Sequence, residues 1–223
     1  MAKHNSPLVS IVIPAHNEER YIEKTLSHIK KQSYKHIEVI VVDDGSTDST
    51  IKTARKYADK IIKLKKRKGV SYARNAGAKI ARGNLLVFLD ADTILWDKDA
   101  ISKILGHIEE GYHHGTCRMK AEKSSHLIFA ATKNFFIRNT SFRAANGIIF
   151  IKKEIHRKIK GFNEKKDKEE ILEYLEKADA HGNFKFVEAD VITSMRRGGV
   201  KTLAYWIGIR AGLLRKRPYP VVR

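Results

Sequence analysis

A single cysteine, Cys117, stands among 223 residues. That count excludes an intrachain disulfide and any multi-cysteine metal site, and it fits a reducing compartment. Proline and glycine, at four and 14, show no excess over an ordinary globular chain. No G-X-Y period and no segment at solenoid spacing is found, so fibrous and repeat architectures fall away. Long hydrophobic runs are missing. The longest nearly apolar stretch, Thr202 to Leu214, is interrupted by Arg210 and falls short of the roughly 20 residues that a bilayer crossing needs. Met1 to Pro7 lack the basic, apolar, small-residue order of a signal peptide, which sets the expectation of a cytoplasmic protein. Acidic residues are outnumbered, 25 against 44 Lys and Arg, leaving a net charge of +19. A field of that sign attracts nucleic acids, anionic lipid or phosphorylated ligands without choosing among them. The basic residues cluster at Lys63 to Lys68, Lys152 to Lys160 and Arg210 to Arg217. No zinc-finger spacing or basic zipper accompanies them, and a solvated surface explains each run.

What is present is a globular composition, 42% hydrophobic, enough to bury one domain. Leu8 to Ile13 reads as a buried strand ended by Pro14, Glu18 to Lys31 as a helix, and Ile37 to Val42 as a second strand. Thr47 to Tyr57 and Ser71 to Ala81 have helical spacing, Lys60 to Leu64 reads as a short strand, and Leu85 to Leu89 as a fourth. Strands alternating with helices predict an α/β fold, a doubly wound, mostly parallel sheet covered by helices on both faces. Beyond Asp92 the pattern predicts a helix over Lys98 to Glu109 and a less regular stretch from Gly111 to Arg143. A strand at Gly147 to Ile151, a helix over Lys168 to Ala178 and a strand near Phe184 to Val187 follow. No Gly/Ser/Pro linker separates the halves. The expected organisation is one domain over residues 1–198 and a basic amphipathic tail over 199–223. The tail carries Leu203, Trp206, Ile207, Leu213 and Leu214 on one face, suited either to anionic lipid headgroups or to covering the domain.

In an open parallel sheet, ligands bind beyond the carboxyl ends of the strands. Three of the loops there are unusual: Pro14-Ala15-His16-Asn17-Glu18, Asp43-Asp44-Gly45-Ser46-Thr47-Asp48 and Asp90-Ala91-Asp92. They should bring Asp43, Asp44, Asp90 and Asp92 around one crevice, where two carboxylates about 5 Å apart repel by roughly 3 kcal/mol at an effective dielectric near 20. A cation is expected there, and the hard oxygens of Asp90 and Asp92 suit Mg²⁺ or Mn²⁺ sharing its shell with a diphosphate. Turn formation and helix capping compete for the same residues, and at Asp48 they are the better account.

These motifs resemble a known family. Val9 to Glu19, Ile40 to Asp48, Gly69-Val70-Ser71-Tyr72-Ala73-Arg74-Asn75-Ala76-Gly77 and Phe88-Leu89-Asp90-Ala91-Asp92 look, in order and spacing, like a family-2 glycosyltransferase with the GT-A fold. Ala145-Asn146-Gly147 and Gly161-Phe162-Asn163-Glu164 resemble its acceptor-side pattern more loosely. The resemblance implies a nucleotide-binding first half and an acceptor-side second half. It implies inverting transfer of a sugar from a UDP- or GDP-type donor to a hydroxyl or a lipid phosphate, including polyprenyl-phosphate acceptors. It places Asp92 and Asp90 on the divalent metal, Ala91 against the nucleotide, and Asp44 at the base edge. Pro14, His16, Glu18 and Val42 complete the nucleoside slot, and Arg74 meets the donor phosphates at the start of its helix. For Arg74 a surface position, and for His16 an unliganded loop position, are the alternatives.

Inversion needs a base on the acceptor side. Where the family commonly has Glu-Asp or Asp-Asp, this chain has Glu169 and Glu170, so the carboxylate reaches about one methylene further. Glu170 is the candidate base. Asp167 to Glu170 also has capping-box spacing, and an already ionised phosphate acceptor needs no base at all. Arg196 and Arg197, after Ser194, resemble a family position that holds diphosphate or acceptor phosphate; adjacent residues on an extended segment point apart, so at most one reaches it. No nucleic-acid partner is expected, and attachment at the cytoplasmic face of a membrane would suit a lipid-linked acceptor. The rival readings are a sugar nucleotidyltransferase, disfavoured by the absence of a glycine-rich loop after the first strand, a basic nucleic-acid-binding protein, and a relative that binds donor but lacks a base.

Overall fold

The apolar run that opens the chain forms β1 (Val9–Ala15), and the sheet grows outward from it. β2 (Ile37–Asp43) pairs with β1 in parallel on one side and β4 (Leu85–Leu89) in parallel on the other, while β3 (Lys60–Lys63) extends the sheet beyond β2, again in parallel. The computed structural model describes residues 6–166 and 170–194. The second half continues the same sheet in mixed sense. β7 (Ile148–Lys152) runs antiparallel to β4, and β6 (His114–Met119) antiparallel to β7. β8 (Phe184–Thr193) runs parallel to β6, and the short β5 (Thr93–Leu95) closes the edge antiparallel to β8. The order is β3-β2-β1-β4-β7-β6-β8-β5.

Alternation along the strands builds two cores. Val9, Ile11, Ile13 and Ala15 of β1, with Leu85, Val87 and Leu89 of β4, face one layer; Val12, Leu86 and Phe88 face the other, as a side-chain period of two requires. The first layer holds Ile22, Leu26 and Ile29 of α1 (Ile22–Lys30), Ala54 of α2 (Thr50–Ala54) and Ile101, Ile104 and Leu105 of α4 (Ala100–Glu109). The second holds Ala73 and Ala78 of α3 (Val70–Ile80), Ile155 of α6 (Lys153–Lys158) and Tyr174, Leu175 and Ala178 of α7 (Glu170–Asp179). Helices therefore cover both faces.

Several boundaries differ from expectation. β1 runs on through Pro14 to Ala15, because in its pairing with β2 it continues to the Ala15–Asp43 step. α1 begins at Ile22, and α2 is a single short helix inside Thr47 to Tyr57. The stretch expected to be irregular holds β6, a 3-10 turn at Ser124–His126 and α5 (Leu127–Asn139). The strand near Phe184 extends to Thr193, which carries the chain back to the end of β4. Among the described residues no helix is long and apolar enough to cross a membrane.

Candidate active site

With β1, β2 and β4 parallel and adjacent, their carboxyl ends share one edge, and the loops that leave them meet there. They line a cleft of about 260 Å³ containing Pro14, His16, Glu18, Asp44, Arg74, Asp90, Ala91, Asp92 and Glu170. Arg67, Val70, Ala73, Thr193 and Ser194 complete much of the wall. Its charged lining comprises five carboxylates and two guanidiniums, so a protein of net charge +19 carries a locally acidic cleft. Another cavity, about 410 Å³ and lined by Pro7, Leu105, Lys152 and Arg157, is larger but lies at the opposite end of the strands, away from these loops.

Asp44 is almost buried, at 4% exposure. Its carboxylate accepts from the backbone N–H of Lys68 (2.6 Å) and of Gly69 (2.8 Å), which ties the β2 loop to the start of α3. A carboxylate oxygen has two lone pairs, so Asp44 keeps acceptor capacity toward the cleft. His16 donates from Nδ1 to the Asp44 carbonyl oxygen (2.9 Å); a carbonyl only accepts, so Nδ1 carries the proton. The Glu18 carbonyl oxygen takes the N–H groups of Tyr21 and Ile22 and so starts α1. Asp43, expected in the crevice, is instead fully buried and accepts from Ser46 N–H within its own turn. Asp48 likewise serves a turn, accepting from Thr50 N–H at 3.0 Å. Val42, expected in the nucleoside slot, is a core residue with no exposure: its side chain points to the α3 layer, one step out of phase with the cleft.

Asp90 and Asp92 flank Ala91 just beyond β4. The Asp90 backbone N–H donates to the Gly147 carbonyl (2.9 Å), and Ala91 carbonyl accepts from Thr25 Oγ1 (2.8 Å), which fixes the turn between the two halves. Gly147 has φ +78°, and a Cβ there would stand 2.0 Å from Thr93 Oγ1, so glycine is required. The Asp92 carboxylate accepts from Ser194 Oγ, and Ser194 N–H donates to the Asp92 carbonyl (3.2 Å).

Arg74 lines the cleft and is not the surface residue of the alternative reading. Its guanidinium is only 4% exposed, with Nη2 on Asp90 Oδ1 at 2.9 Å and Nη1 on Glu170 Oε1 at 3.3 Å. The end of β4 and the first turn of α7 are thus bridged by one side chain. Glu169, Arg196, Arg197 and the basic tail lie outside the described residues.

Three lining or flanking groups escaped sequence reasoning. Arg67 sat in a lysine run read as surface, and Thr193 in an unrecognised strand extension. Lys133, on α5, donates to the Ala145 carbonyl (2.7 Å); burial pushes its ammonium down to about 8, opposed by the nearby Asp90 carboxylate. No local signal marks Lys133, since its burial arises only when α5 packs behind Ala145-Asn146-Gly147.

Among the described residues no group of three or more His, Cys, Asp and Glu side chains is gathered to hold a metal by itself. The donor set does fit a shared site: hard carboxylates of Asp90 and Asp92 at an acidic rim, with a diphosphate completing the shell, as Mg²⁺ and Mn²⁺ accept.

Comparison with known proteins agrees with this architecture. A mannosyltransferase from Pyrobaculum calidifontis, solved with GDP-Man and Mn²⁺, superposes with a TM-score of 0.71 at 20% identity over 95% of this chain and 66% of that one. Staphylococcus aureus TarS 1-349 in complex with UDP-GlcNAc gives 0.66 at 21% identity, over 86% of this chain and 60% of that one. The fold is GT-A. The putative teichuronic acid biosynthesis glycosyltransferase TuaG of Bacillus subtilis is 37% identical over 109 residues, 47% of this chain and 43% of that protein. The UDP-Glc:alpha-D-GlcNAc-diphosphoundecaprenol beta-1,3-glucosyltransferase WfgD of Escherichia coli is 40% identical over 90 residues, 39% of this chain and 36% of that protein. The matches thus span less than half of these curated relatives. The family model for glycosyl transferase family 2 matches residues 10–162, and since this is more than half of the chain and includes the loops that leave β1, β2 and β4, the chain belongs to glycosyl transferase family 2.

Proposed function

We propose that the cleft binds a nucleotide-diphosphate sugar and that the chain transfers the sugar, with inversion, to a hydroxyl or lipid-phosphate acceptor. The observation that carries this reading is the convergence of Asp44, Asp90, Asp92 and Glu170 on one cleft. Asp44 and His16 stand where the base and its ribose enter from β1 and β2, and Asp44 accepts from a ring N–H of uracil or guanine. Asp90 and Asp92 would hold the divalent cation, with Ser194 orienting Asp92. Held by these carboxylates, a cation would supply Lewis-acid neutralisation of the charge on a diphosphate leaving group. Glu170 faces the donor side from the start of α7 and takes the proton of an acceptor hydroxyl as attack proceeds. The donor class is supported by relatives whose names specify UDP-Glc, UDP-GlcNAc or GDP-Man. WfgD, named for a beta-1,3 transfer to GlcNAc on diphosphoundecaprenol, supports a hydroxyl acceptor carried on a lipid.

The test is calorimetric titration of UDP-glucose, UDP-N-acetylglucosamine and GDP-mannose with and without Mn²⁺. One nucleotide should bind in a metal-dependent manner. Asp92→Ala should weaken that metal-dependent binding by about a hundredfold or more, since loss even of an outer-shell partner costs 10–100-fold, while the fold survives because removing a strand-end carboxylate relieves repulsion. Equal binding by wild type and Asp92→Ala, or no nucleotide bound at millimolar concentration, would overturn the reading.

A further inference from the structure

Arg74 lines the cleft, yet the way it is held suits a different task from gripping a phosphate. Both terminal nitrogens of its guanidinium are engaged by carboxylates, Asp90 on the nucleotide side and Glu170 on the acceptor side. The guanidinium carbon lies 5.2 Å from the centroid of the Phe162 ring. Phe162 in turn stacks on Tyr174, at 3.7 Å and 9°, and Tyr174 sits one helical turn after Glu170 on α7. The neighbouring Asn75 fastens the same segment: its Nδ2 donates to the Phe162 carbonyl and its Oδ1 accepts from Phe162 N–H, both at 2.9 Å. Two consecutive residues of α3 therefore set the position of the first turn of α7.

We infer that Arg74 is a positioning residue for Glu170, holding the acceptor-side carboxylate at a fixed distance from Asp90 through one rigid guanidinium. This rests on the reading of Glu170 as the base. Geometry explains why arginine stands here. A planar fork can engage two carboxylates in two directions at once and still lie over an aromatic ring, whereas a lysine ammonium is a single flexible point charge. Glu170 carries one methylene more than aspartate, so its carboxylate has one more rotatable bond to be fixed, and an outside clamp supplies that restraint. The energetic benefit appears in turnover, because misplacing a reacting group by an ångström costs far more rate than affinity.

The experiment is a double-mutant cycle on the full chain: wild type, Arg74→Gln, Glu170→Gln and the double variant, with Arg74→Lys alongside. Readouts are UDP or GDP release from whichever sugar nucleotide the panel selects, split into kcat and KM, and calorimetric Kd for the matching nucleoside diphosphate with Mn²⁺. Arg74→Gln should lower kcat by about a hundredfold, the lower end of what a general base contributes. It should change the nucleotide Kd less than about threefold, and should cost less than about threefold more when added to Glu170→Gln, since residues acting as a unit are not additive. Arg74→Lys should recover about tenfold at most of the lost kcat. A tenfold rise in nucleotide Kd, or a full loss repeated on the Glu170→Gln background, would make Arg74 a donor ligand and end the proposal. An unimpaired Glu170→Gln would instead remove the base assignment on which it stands. Where Arg74→Gln fails to fold by circular dichroism, Arg74→Lys carries the decision, since it must still lose kcat at unchanged Kd.

Discussion

Glu38 is a charged residue placed far from the cleft, near the amino end of β2, and it is only 1% exposed. It accepts from Ser10 Oγ (2.7 Å), Arg82 N–H (2.9 Å) and Arg82 Nε (2.7 Å), with Lys60 Nζ at 2.8 Å. Burial alone would push its carboxyl up, but these hydrogen bonds outweigh it and bring the carboxyl down to about 2. A folded value below the unfolded one means that the stabilisation is complete above pH about 4.5 and is lost as pH falls toward 2. Glu38→Gln should therefore cost about 2 kcal/mol at pH 7. That is less than the 3–5 kcal/mol of a fully buried broken pair, because Lys60 and Arg82 reach water. The variant should also lose less stability than wild type between pH 4.5 and 2.5 in urea melts. Equal acid sensitivity in the two proteins would show that β1, β2 and the α3–β4 connection are not joined through this carboxylate.

At the scale of elements, α3 matters most, because it carries Arg74 and Asn75 and must lie close to the sheet. Gly77 makes that approach: a Cβ there would meet Val12 Cγ1 at 2.3 Å and Val42 Cγ2 at 3.1 Å. Alanine would gain about 1 kcal/mol of helix propensity, but overpacking against two β-branched strand residues costs typically 1–3 kcal/mol. Gly77→Ala should thus be destabilising by about 1 kcal/mol and should lower turnover with it; a rise in the urea midpoint would mean that α3 can lift off without loss. The same elements explain what was legible. β4 and the neighbouring strands announce themselves as apolar runs, and the strand-end acids follow from parallel topology. β6, with the sequence His-Gly-Thr-Cys-Arg-Met, hides because two of its buried positions, His114 and Thr116, are polar and only Cys117 and Met119 join apolar clusters, so no apolar run marks it. Thr116 donates to the Ile148 carbonyl and His114 meets Asp179. α5 hides because it is apolar on both sides, burying Phe129 and Ile137 while Ile128 and Phe135 stay exposed. The family resemblance implies Val42 for the slot, but it carries no side-chain phase, and that phase turns Val42 into the α3 layer. The Arg74 bridge needed tertiary structure outright, since Arg74 and Glu170 are 96 residues apart.

At the scale of the whole molecule, a protein of net charge +19 with ten histidines becomes more positive on mild acidification, and self-repulsion grows. One histidine should add a distinct loss. His156 of α6 is packed with Phe88, Phe162 and Tyr174, joining β4 to α7, and its Nδ1 lies 2.7 Å from Tyr174 Oη. Burial, followed by the charges of Lys153 and Arg157, pushes the imidazole down to about 4. The unfolded chain then binds a proton that the folded one refuses, so stability is complete above pH about 6.5 and falls between 6.5 and 4. This window lies above that of Glu38, which separates the two effects. Salt separates the remaining pair: general surface repulsion is screened at 0.5 M NaCl, whereas a desolvated imidazole is screened much less. Thermal melts from pH 7 to 4.5 at high salt should therefore keep a fall in Tm, and His156→Gln should flatten it in part. The residue left over belongs to His114, which burial also holds below its ordinary value. A fall that vanishes with salt would assign the acid response to net charge and leave the Phe88–His156–Tyr174 junction without a role in it.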